Sequence, residues 1–366
     1  MTQPRHVGVL TGGGDCPGMN AALRAVVKSA VHSHGMRVTG FLDGFAGLVE
    51  DRARTLGFDD VSGILIQGGT ILGASNRHDP FRWPVEALGR TTVVDRSERA
   101  LATIARHRLD ALIVVGGDGS LAIAQKLAAK GVPLVAVPKT IDNDVGGTDV
   151  SLGFDSARAI ATEAVDRLHS TAASHHRVMV IEVMGRHAGW IALDAGLAGG
   201  GDVILIPEIP FHYDAVARGI QERTVRGRRF SIVVVAEGAR SPDGREVVRQ
   251  VVEGSPEPAR LGGIGALVAH ALEARLSFEV RQVVLGHVQR GGPPTAFDRV
   301  LAARFGVAAV AAAAEGAFGS MVALRSARIE RLPIAEALAR PKRVDPQGER
   351  VSAARHIGTV FGDERL

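Results

Sequence analysis

The chain has 366 residues, which exceeds one ordinary domain and is typical of two α/β domains with separate cores. Aromatic residues make up only 4% of it, so we expect cores of Ala, Val, Leu and Ile, as in parallel sheets covered by helices. The formal charge of +4 comes mostly from scattered arginines without interleaved aromatics, which indicates sites for small anions and no nucleic-acid partner.

Short β-branched runs alternate with Ala-rich helical patterns along the chain. This alternation predicts an α/β fold with two domains, each a mainly parallel sheet sandwiched by helices. The predicted strands are 6–10, 111–115, 133–137, 177–183, 202–206, 230–236 and 280–286. The predicted helices are 18–34, 98–107, 120–130, 155–170, 187–198, 262–275 and 296–315.

The single cysteine, Cys16, rules out a disulfide within the chain and a cysteine metal site. No apolar run approaches the ~20 residues that a membrane-spanning helix needs, and the chain opens on a short strand rather than a charged leader. We therefore expect a cytoplasmic protein with no membrane partner.

The first predicted strand runs into a glycine-rich turn, TGGGDCPGMN, at residues 11–20. Glycine lets the backbone approach a phosphate closely, and the following helix N-terminus favours an anion. A tight structural turn is the alternative interpretation. The turn is not a Walker A loop, because no Gly-Lys-Ser/Thr follows, and Asp15 and Pro17 break the spacing of a dinucleotide-binding loop.

A second turn, GGDGS at residues 116–120, follows the strand at 111–115. An aspartate at the end of a buried strand is costly unless it meets a cation or hydrogen-bond donors, and Mg²⁺ between phosphate oxygens suits Asp118. The alternative is that Asp118 only caps the next helix. Similar turns occur in NAD kinases and lipid kinases, so this motif indicates a nucleotide kinase without specifying the acceptor.

Two carboxylates follow the next strand end, in PKTIDND at residues 138–144. One of the pair Asp142 and Asp144 can take a hydroxyl proton while the other holds its neighbours or the metal. Close like charges tend to raise the pKa of one carboxyl toward a useful range. A polar turn without a catalytic role is the alternative.

A fourth motif, MGRHAG at residues 184–189, follows the strand at 177–183. Arg186 at a helix start suits a phosphorylated sugar, whereas His187 is more typical of a structural histidine and receives no role. Glu237, which ends another strand, either accepts hydrogen bonds from sugar hydroxyls or pairs with an arginine.

The fifth motif combines Arg281 with GHVQRGG at residues 286–292. His287 and Arg290 at a strand end suit a phosphate clamp, because an arginine fork binds two oxygens at once. Taken alone, Arg281 would be a surface residue.

Together and in this order, the five motifs resemble the 6-phosphofructokinase family, over roughly residues 5–325. The resemblance implies Mg²⁺-dependent transfer of the ATP γ-phosphoryl group to O1 of fructose 6-phosphate in glycolysis. PKTIDND, with Lys139, looks like the mixed-substrate branch, which contains ATP-dependent and pyrophosphate-dependent enzymes. Two domains are implied: residues 1–139 plus about 256–305 for the donor, and 140–255 plus about 306–366 for fructose 6-phosphate.

The resemblance also implies the roles of single residues in catalysis. Asp142 is the implied general base, Asp144 supports it, and Thr140 and Arg186 stabilise the transferring group. Asp118 is the implied Mg²⁺ ligand. The residues implied to bind the donor are Gly13, Gly14, Gly117, Asp118, Gly119 and Ser120.

On the sugar side, the resemblance implies a site shared between two copies of the chain. Arg177 and Arg281 would reach the 6-phosphate from the neighbouring subunit, so a homodimer or homotetramer is expected. The residues implied to bind the sugar phosphate are Thr140, Ile141, Asp142, Arg177, Met184, Gly185, Arg186, Glu237, Arg281, His287, Val288, Gln289 and Arg290.

Donor choice is expected to depend on Gly119 and Lys139. Family members restricted to pyrophosphate usually carry Asp at the position of Gly119, where its side chain would repel the α-phosphate of ATP. Gly119 therefore favours ATP, whereas Lys139 occurs with both donors. In one departure from the family pattern, Arg77 is displaced by a residue from the usual arginine after GGTILG.

Four other functions stay open at this point. They are a pyrophosphate-dependent phosphotransferase, a kinase of another sugar phosphate or of NAD, a non-catalytic sensor of nucleotide or sugar phosphate, and a Rossmann oxidoreductase. The last would need a cleaner glycine fingerprint and an acidic ribose-binding residue about twenty residues on, and Asp43 is only a weak candidate.

Overall fold

The computed structural model describes residues 5–87, 90–241, 244, 247–251 and 259–364. The expected domain boundary at about 255–256 lies outside the described residues. The strands are β1 (His6–Thr11), β2 (Arg37–Phe41), β3 (Ala53–Leu56), β4 (Trp83–Ala87), β5 (Arg90–Val94), β6 (Ala111–Gly116), β7 (Leu134–Pro138), β8 (Val178–Val183), β9 (Val203–Leu205), β10 (Ser231–Ala236), β11 (Val248–Val251), β12 (Ala259–Leu261), β13 (Val280–Val284), β14 (Ser320–Arg325) and β15 (Arg328–Pro333).

The helices alternate with these strands. They are α1 (Met19–His34), α2 (Phe45–Glu50), α3 (Ser97–His107), α4 (Asp118–Ala129), α5 (Phe154–His175), α6 (Trp190–Ala198), α7 (Tyr213–Val225), α8 (Ile264–Glu273), α9 (Ala296–Ala314), α10 (Ile334–Ala339) and α11 (Glu349–His356). Short 3-10 helices lie at Asp59–Val61, Ile64–Ile66 and Gly286–Arg290.

The chain forms two compact units. Unit 1 comprises the residues up to Ser156 and Arg290–Lys342, and unit 2 comprises Ala157–Val251, Ala259–Gln289 and the residues from Arg343 onward. The functional assignment of the two domains and the residues at which each ends stay predictions.

Unit 1 is built on a sheet with the strand order β15-β14-β7-β6-β1-β2-β3. Its central strands are parallel: Thr11 of β1 lies beside Val115 of β6, and Gly116 of β6 lies beside Pro138 of β7. The pairs β2–β3 and β14–β15 are antiparallel. Because neighbouring parallel strands end at the same edge, the turns after β1, β6 and β7 are brought together.

Helices cover both faces of this sheet, which explains why its central strands are apolar throughout. Val7 and Val9 of β1 belong to a core that includes Phe305 of α9 and residues of α1. Leu10 faces the opposite side, in a core with Leu121 of α4 and residues of α3. The alternation along β1 thus divides its side chains between two buried layers.

Unit 2 contains a fully parallel sheet with the strand order β13-β8-β10-β9. Val178 and Val180 of β8 pack in a core with residues of α7 and α8. The last part of the chain also joins this unit, because Val360 bridges to Val203 of β9 and Phe361 is fully buried.

The predicted α/β class with mainly parallel sheets is confirmed, and each predicted strand and helix has a counterpart. The strands missed by sequence patterns include the antiparallel edge strands β3 and β15. Leu332 is the only buried residue of β15, so this strand lacks the apolar run that marks a buried strand. The helices missed are α2, α7, α10 and α11.

Candidate active site

Three turns meet at the carboxyl edge of the sheet in unit 1. They follow β1, β6 and β7, which are neighbours in the strand order. They carry the predicted donor-binding and catalytic residues Gly13, Gly14, Gly117, Asp118, Gly119, Ser120, Lys139, Thr140, Ile141, Asp142 and Asp144. The structure thus brings together three of the five motifs within one unit.

The turn after β1 packs so closely on the turn after β6 that only glycine fits at Gly12. A Cβ on Gly12 would lie 2.6 Å from the hydroxyl oxygen of Ser120, which is itself buried. Gly13 adopts φ 78°, a left-handed conformation that favours glycine. Steric fit therefore explains the glycines here independently of any ligand.

Two long cations hold carbonyl oxygens of the same turn. The ammonium of Lys139, which is only 3% exposed, donates to the carbonyl oxygen of Gly14. Arg290 Nη1 donates to the carbonyl oxygen of Asp15 at 2.8 Å, and it would lie 3.0 Å from a Cβ on Gly14. The turn is therefore lined by positive charge from two directions, as an anion site requires.

A cavity of about 390 Å³ opens beside this turn within unit 1. The Thr11 hydroxyl donates to the carbonyl oxygen of Gly73, one of the lining residues, at 2.7 Å. The lining residues are Gly13, Gly14, Asp15, Gly69, Thr70, Gly73, Ala74 and Asn76.

The second side of the cavity was not predicted from the sequence. Its residues come from GGTILGASN (68–76), a glycine-rich stretch that follows no regular strand and therefore lacked the strand–turn–helix signal. Arg77 is exposed, and its backbone N–H donates to the Ser75 hydroxyl at 3.3 Å. The density of glycine in residues 68–73 was the available signal.

Asp118 and Gly119 begin α4 and are both exposed. Asp118 Oδ1 accepts a hydrogen bond from the Gly119 N–H at 2.7 Å, so the carboxylate is held at the helix start. A Cβ on Gly119 would meet no atom within 4 Å. The space beside Gly119 is therefore open, as the sequence interpretation of donor choice requires.

The described residues supply few of the ligands that a magnesium ion needs. Within the described ranges, no group of three or more His, Cys, Asp and Glu side chains is placed to hold a metal. A single exposed carboxylate at Asp118 nevertheless fits Mg²⁺ that arrives with a phosphate donor, because Mg²⁺ keeps most of its coordination for phosphate oxygens and water.

The turn after β7 places Asp142 in a buried position, 3% exposed. Its backbone N–H donates to the Thr140 hydroxyl at 3.1 Å, while Ile141 is fully buried beneath the turn. Asn143 adopts φ 54°, and its side-chain oxygen accepts from the Ser151 N–H at 3.0 Å. Asp144 is half-buried. The backbone between the two carboxylates is therefore fixed in an unusual conformation.

Cys16 lies in the first glycine-rich motif but is unsuited to chemistry. Burial raises the pKa of its thiol to about 12, and the thiol donates to the carbonyl oxygen of Leu152 at 3.5 Å. A thiol that stays protonated at neutral pH is a poor nucleophile.

In unit 2, the predicted sugar-binding residues follow three neighbouring parallel strands. Residues 184–186 follow β8, Glu237 follows β10, and residues 287–289 follow β13 within a 3-10 helix. His287 and Val288 are exposed, whereas Gln289 is fully buried and its amide donates to the carbonyl oxygen of Gly286 at 3.1 Å. Gln289 therefore fixes its turn.

Glutamates hold the turn after β8. Glu237 accepts a hydrogen bond from the Arg186 N–H at 3.0 Å, and Arg186 adopts φ 50°. Gly185, at φ 139°, lies where a Cβ would be 2.6 Å from the carbonyl oxygen of Ala188. Met184 is half-buried. Glu237 thus accepts a backbone N–H, a contact that the sequence did not suggest, and the two uses that the sequence left open for it stay predictions.

Glu208, which sequence reasoning missed, anchors the end of the same turn. It accepts hydrogen bonds from the N–H of Gly189 at 3.0 Å and of Val344 at 2.9 Å. Burial raises the pKa of the Glu208 carboxyl, and these backbone hydrogen bonds oppose that effect. Neither partner lies near Glu208 in the sequence, so no local pattern reveals the contact.

Arg177 and Arg281 lie at the amino ends of the strands in this sheet, opposite the predicted sugar-binding residues. Arg177 precedes β8, and Arg281 is paired with Met179 near the amino end of β8. Both guanidinium groups pair with Glu279, a residue not singled out in the sequence. A six-residue strand spans about 20 Å, so these arginines are far from residues 184–186 within the same unit.

No helix within the described ranges combines the length and the apolar composition that crossing a membrane requires.

Comparison with known proteins gives consistent results. Residues 6–313 match the family model described as phosphofructokinase. The chain is 47% identical over 366 residues to ATP-dependent 6-phosphofructokinase 2 of Clostridium perfringens, covering 99% of this chain and 100% of that protein. It is 52% identical over 342 residues to a pyrophosphate–fructose 6-phosphate 1-phosphotransferase of Amycolatopsis methanolica, covering 93% of this chain and 97% of that protein.

A solved structure shares the fold. Phosphofructokinase from Saccharomyces cerevisiae is similar with a TM-score of 0.75 at 34% identity, over 92% of this chain and 45% of that chain. The chain therefore spans less than half the length of that yeast protein.

Proposed function

The chain belongs to the phosphofructokinase family, and from that premise we propose that it transfers the γ-phosphoryl group of ATP to O1 of fructose 6-phosphate, in the cytoplasm as a step of glycolysis. The observation that carries the proposal is the meeting of three turns in unit 1. Two glycine-rich turns, one of them anchored by two cations, lie beside a third turn that holds a buried carboxylate, Asp142.

The donor binds in the cavity beside Gly13 and Gly14 in this proposal. Lys139 and Arg290 already place positive charge on this turn, and the start of α4 adds the partial positive charge of a helix N-terminus. Together they offset the phosphate charge of the donor. The open space beside Gly119 leaves room for the α-phosphate and the nucleoside, which favours ATP.

Mg²⁺ is the cofactor that this site suits, and Asp118 is the residue that would hold it. When bound, the ion neutralises charge on the donor phosphate oxygens. The chain contributes one carboxylate, held in place by the Gly119 N–H at 2.7 Å.

Asp142 acts as the general base in the proposed transfer. Its carboxylate takes the proton of the O1 hydroxyl as the O1–phosphorus bond forms and the bond from the γ-phosphorus to the bridging oxygen of ADP breaks. Thr140 orients the turn, since its hydroxyl accepts the Asp142 N–H. Asp144 supports the base, and the Arg186 side chain stabilises charge on the transferring oxygens.

Fructose 6-phosphate binds to residues of unit 2 in this proposal. Met184, Gly185, Arg186, Glu237 and the turn at residues 287–289 all follow the carboxyl ends of adjacent strands, where ligands of parallel sheets bind. Arg290 is also proposed to bind the sugar phosphate.

Two copies of the chain share each site in the proposed enzyme. Arg177 and Arg281 lie at the amino edge of the sheet in unit 2, about 20 Å from the sugar-binding turns at its carboxyl edge. They therefore serve the 6-phosphate site of a neighbouring copy, which requires at least a homodimer.

A second candidate is a pyrophosphate-dependent phosphotransferase for the same sugar. It is favoured by Lys139, whose buried ammonium lies on the glycine-rich turn and suits a compact donor with high charge density. Lys139 occurs with both donors in the mixed-substrate branch that the chain resembles, whereas Gly119 favours ATP. ATP is therefore the proposed donor.

A coupled assay for fructose 1,6-bisphosphate tests the proposal. Purified protein is supplied with Mg²⁺ and fructose 6-phosphate, and with ATP or pyrophosphate in parallel reactions. We expect turnover with ATP alone. Turnover with pyrophosphate alone would establish the second candidate, and no turnover with either donor would contradict both.

Mixing two inactive variants tests the shared site. Asp142→Asn removes the base, and Arg281→Ala removes an arginine that serves the neighbouring copy. We expect refolded mixtures to regain part of the activity, because some sites combine an intact base with an intact arginine. Mixtures that stay as inactive as the separate variants would show that each chain builds its own site.

A further inference from the structure

A lysine near the end of unit 1 binds the turn that carries Asp142 and Asp144. The ammonium of Lys342 donates to Asn143 Oδ1 at 2.8 Å and to the carbonyl oxygens of Thr148 at 2.9 Å and Asp149 at 2.7 Å. Its backbone N–H donates to the carbonyl oxygen of Asp144 at 2.7 Å. One residue thus contacts both ends of the segment 143–149.

These contacts use the full donor capacity of the ammonium. A lysine has three N–H donors, and each has an acceptor within 2.9 Å. The acceptors converge on one point, which a compact ammonium satisfies and a planar guanidinium does not. The contact is therefore specific for lysine rather than for positive charge alone.

The residue at the centre of this contact has a strained backbone. Asn143 adopts φ 54°, which an L-residue rarely does, and it persists because its side chain is held on both sides. Asn143 Oδ1 accepts from the Ser151 N–H at 3.0 Å as well as from Lys342. Asn143 separates the two carboxylates, so its conformation determines their relative direction.

A backbone contact holds the same segment independently. A Cβ on Gly146 would overlap the carbonyl oxygen of Arg340 and lie 2.6 Å from that of Ala337. The segment 143–149 is therefore packed directly on the chain that leads from α10 to Lys342.

From these contacts we propose that Lys342 is a positioning residue for phosphoryl transfer. It fixes the conformation of the 142–144 turn. This inference rests on the proposed function, in which Asp142 is the general base. A displacement of a catalytic group by 1 Å can cost about 10²-fold in rate. Lys342 lies almost two hundred residues from the turn, outside every motif in the sequence.

The test is Lys342→Met, which keeps most of the aliphatic stem and removes the three donors. We expect kcat to fall by about 10²-fold, with the KM for ATP and for fructose 6-phosphate changed less than about threefold, because the variant displaces the base rather than the binding groups. Lys342→Arg is expected to recover only part of kcat.

Lys130→Met is the matched control. Lys130 follows α4 and pairs with Glu98 at the surface, so its loss should leave kcat and both KM values unchanged. Equal losses in the two variants, or a normal kcat for Lys342→Met, would overturn the proposal.

Hydrogen exchange measured by mass spectrometry on peptides covering residues 140–152 supplies a readout besides activity. We expect faster exchange of these peptides in Lys342→Met than in wild type, with other peptides and those of Lys130→Met unchanged. Unchanged exchange would overturn the positioning role. An inactive wild type would instead contradict the proposed function, while exchange would still decide whether Lys342 holds the turn.

Discussion

Charged side chains anchor the turn after β1 in unit 1 and the turn after β8 in unit 2 by opposite chemistry. In unit 1, cations bind backbone carbonyl oxygens: Lys139 on Gly14 and Arg290 on Asp15. In unit 2, carboxylates bind backbone N–H groups: Glu237 on Arg186 and Glu208 on Gly189. These two turns are therefore anchored through different halves of the peptide group.

This difference has a direct consequence for anion binding. The anchors of unit 1 bring positive charge to the turns where the donor phosphates are proposed to bind, so the scaffold itself favours the ligand. The anchors of unit 2 bring negative charge, which repels a phosphate. In the proposed function, the positive charge that binds the sugar phosphate comes from the Arg186 side chain and from arginines of a neighbouring copy. A phosphate site can thus be built into the scaffold or added to it by side chains.

The largest expected effect is a loss of kcat, from a substitution that distinguishes the proposed chemistry in unit 1 from the proposed binding in unit 2. Asp142→Asn keeps the shape of the side chain but removes the base, so kcat should fall by about 10²–10⁴-fold with little change in either KM. Glu237→Gln is the comparison variant and should mainly raise the KM for fructose 6-phosphate. Steady-state kinetics with each substrate varied checks both. A near-normal kcat for Asp142→Asn would remove it as the base.

A smaller effect is expected from adding charge to the donor side. Gly119→Asp places a carboxylate in the open space beside the proposed α-phosphate, so kcat/KM for ATP should fall by about 10²-fold through like-charge repulsion. Thermal stability should hold, because no atom lies within 4 Å and an aspartate suits the first turn of a helix.

Gly119→Asn is the control for that variant, since it adds the same volume without charge. If the two variants lose ATP activity equally, bulk rather than charge governs donor choice. If neither loses it, Gly119 does not face the donor.

The smallest effect concerns Glu208, whose pKa is raised by burial. The folded state binds this proton more tightly than the unfolded chain, so the stability from Glu208 is fully present below the ordinary glutamate pKa and is lost as the pH rises through the raised value. Glu208→Gln keeps one oxygen that can accept both N–H groups but replaces the oxygen that accepts from the Gly189 N–H at 3.1 Å, so it should cost about 1 kcal/mol or 2–4 °C in Tm and lose the pH dependence.

We therefore expect the Tm deficit of Glu208→Gln to shrink as the pH rises through this window. Calorimetry at several pH values measures it, with Glu98→Gln as a surface control. A deficit that grows with pH would mean that the charged carboxylate is the better anchor.

The sequence by itself determined the class of the fold and the central strands. Five strands are buried on both faces: β1, β6 and β7 in unit 1, and β8 and β10 in unit 2. Such strands are continuous apolar runs, which the sequence shows directly. The glycine-rich turns were also visible, because a positive φ favours glycine whatever the surroundings, as at Gly13. These requirements are local, so local patterns reveal them.

Only the tertiary structure decided how the turns are held. Lys342 reaches the turn of Asp142, Glu208 joins Gly189 to Val344, and Glu279 pairs with Arg177 and Arg281. Most of these partners lie far apart in the chain. A lysine or glutamate that anchors a turn has no sequence pattern distinguishing it from one in solvent, because its role depends on which backbone group folding brings within hydrogen-bond distance.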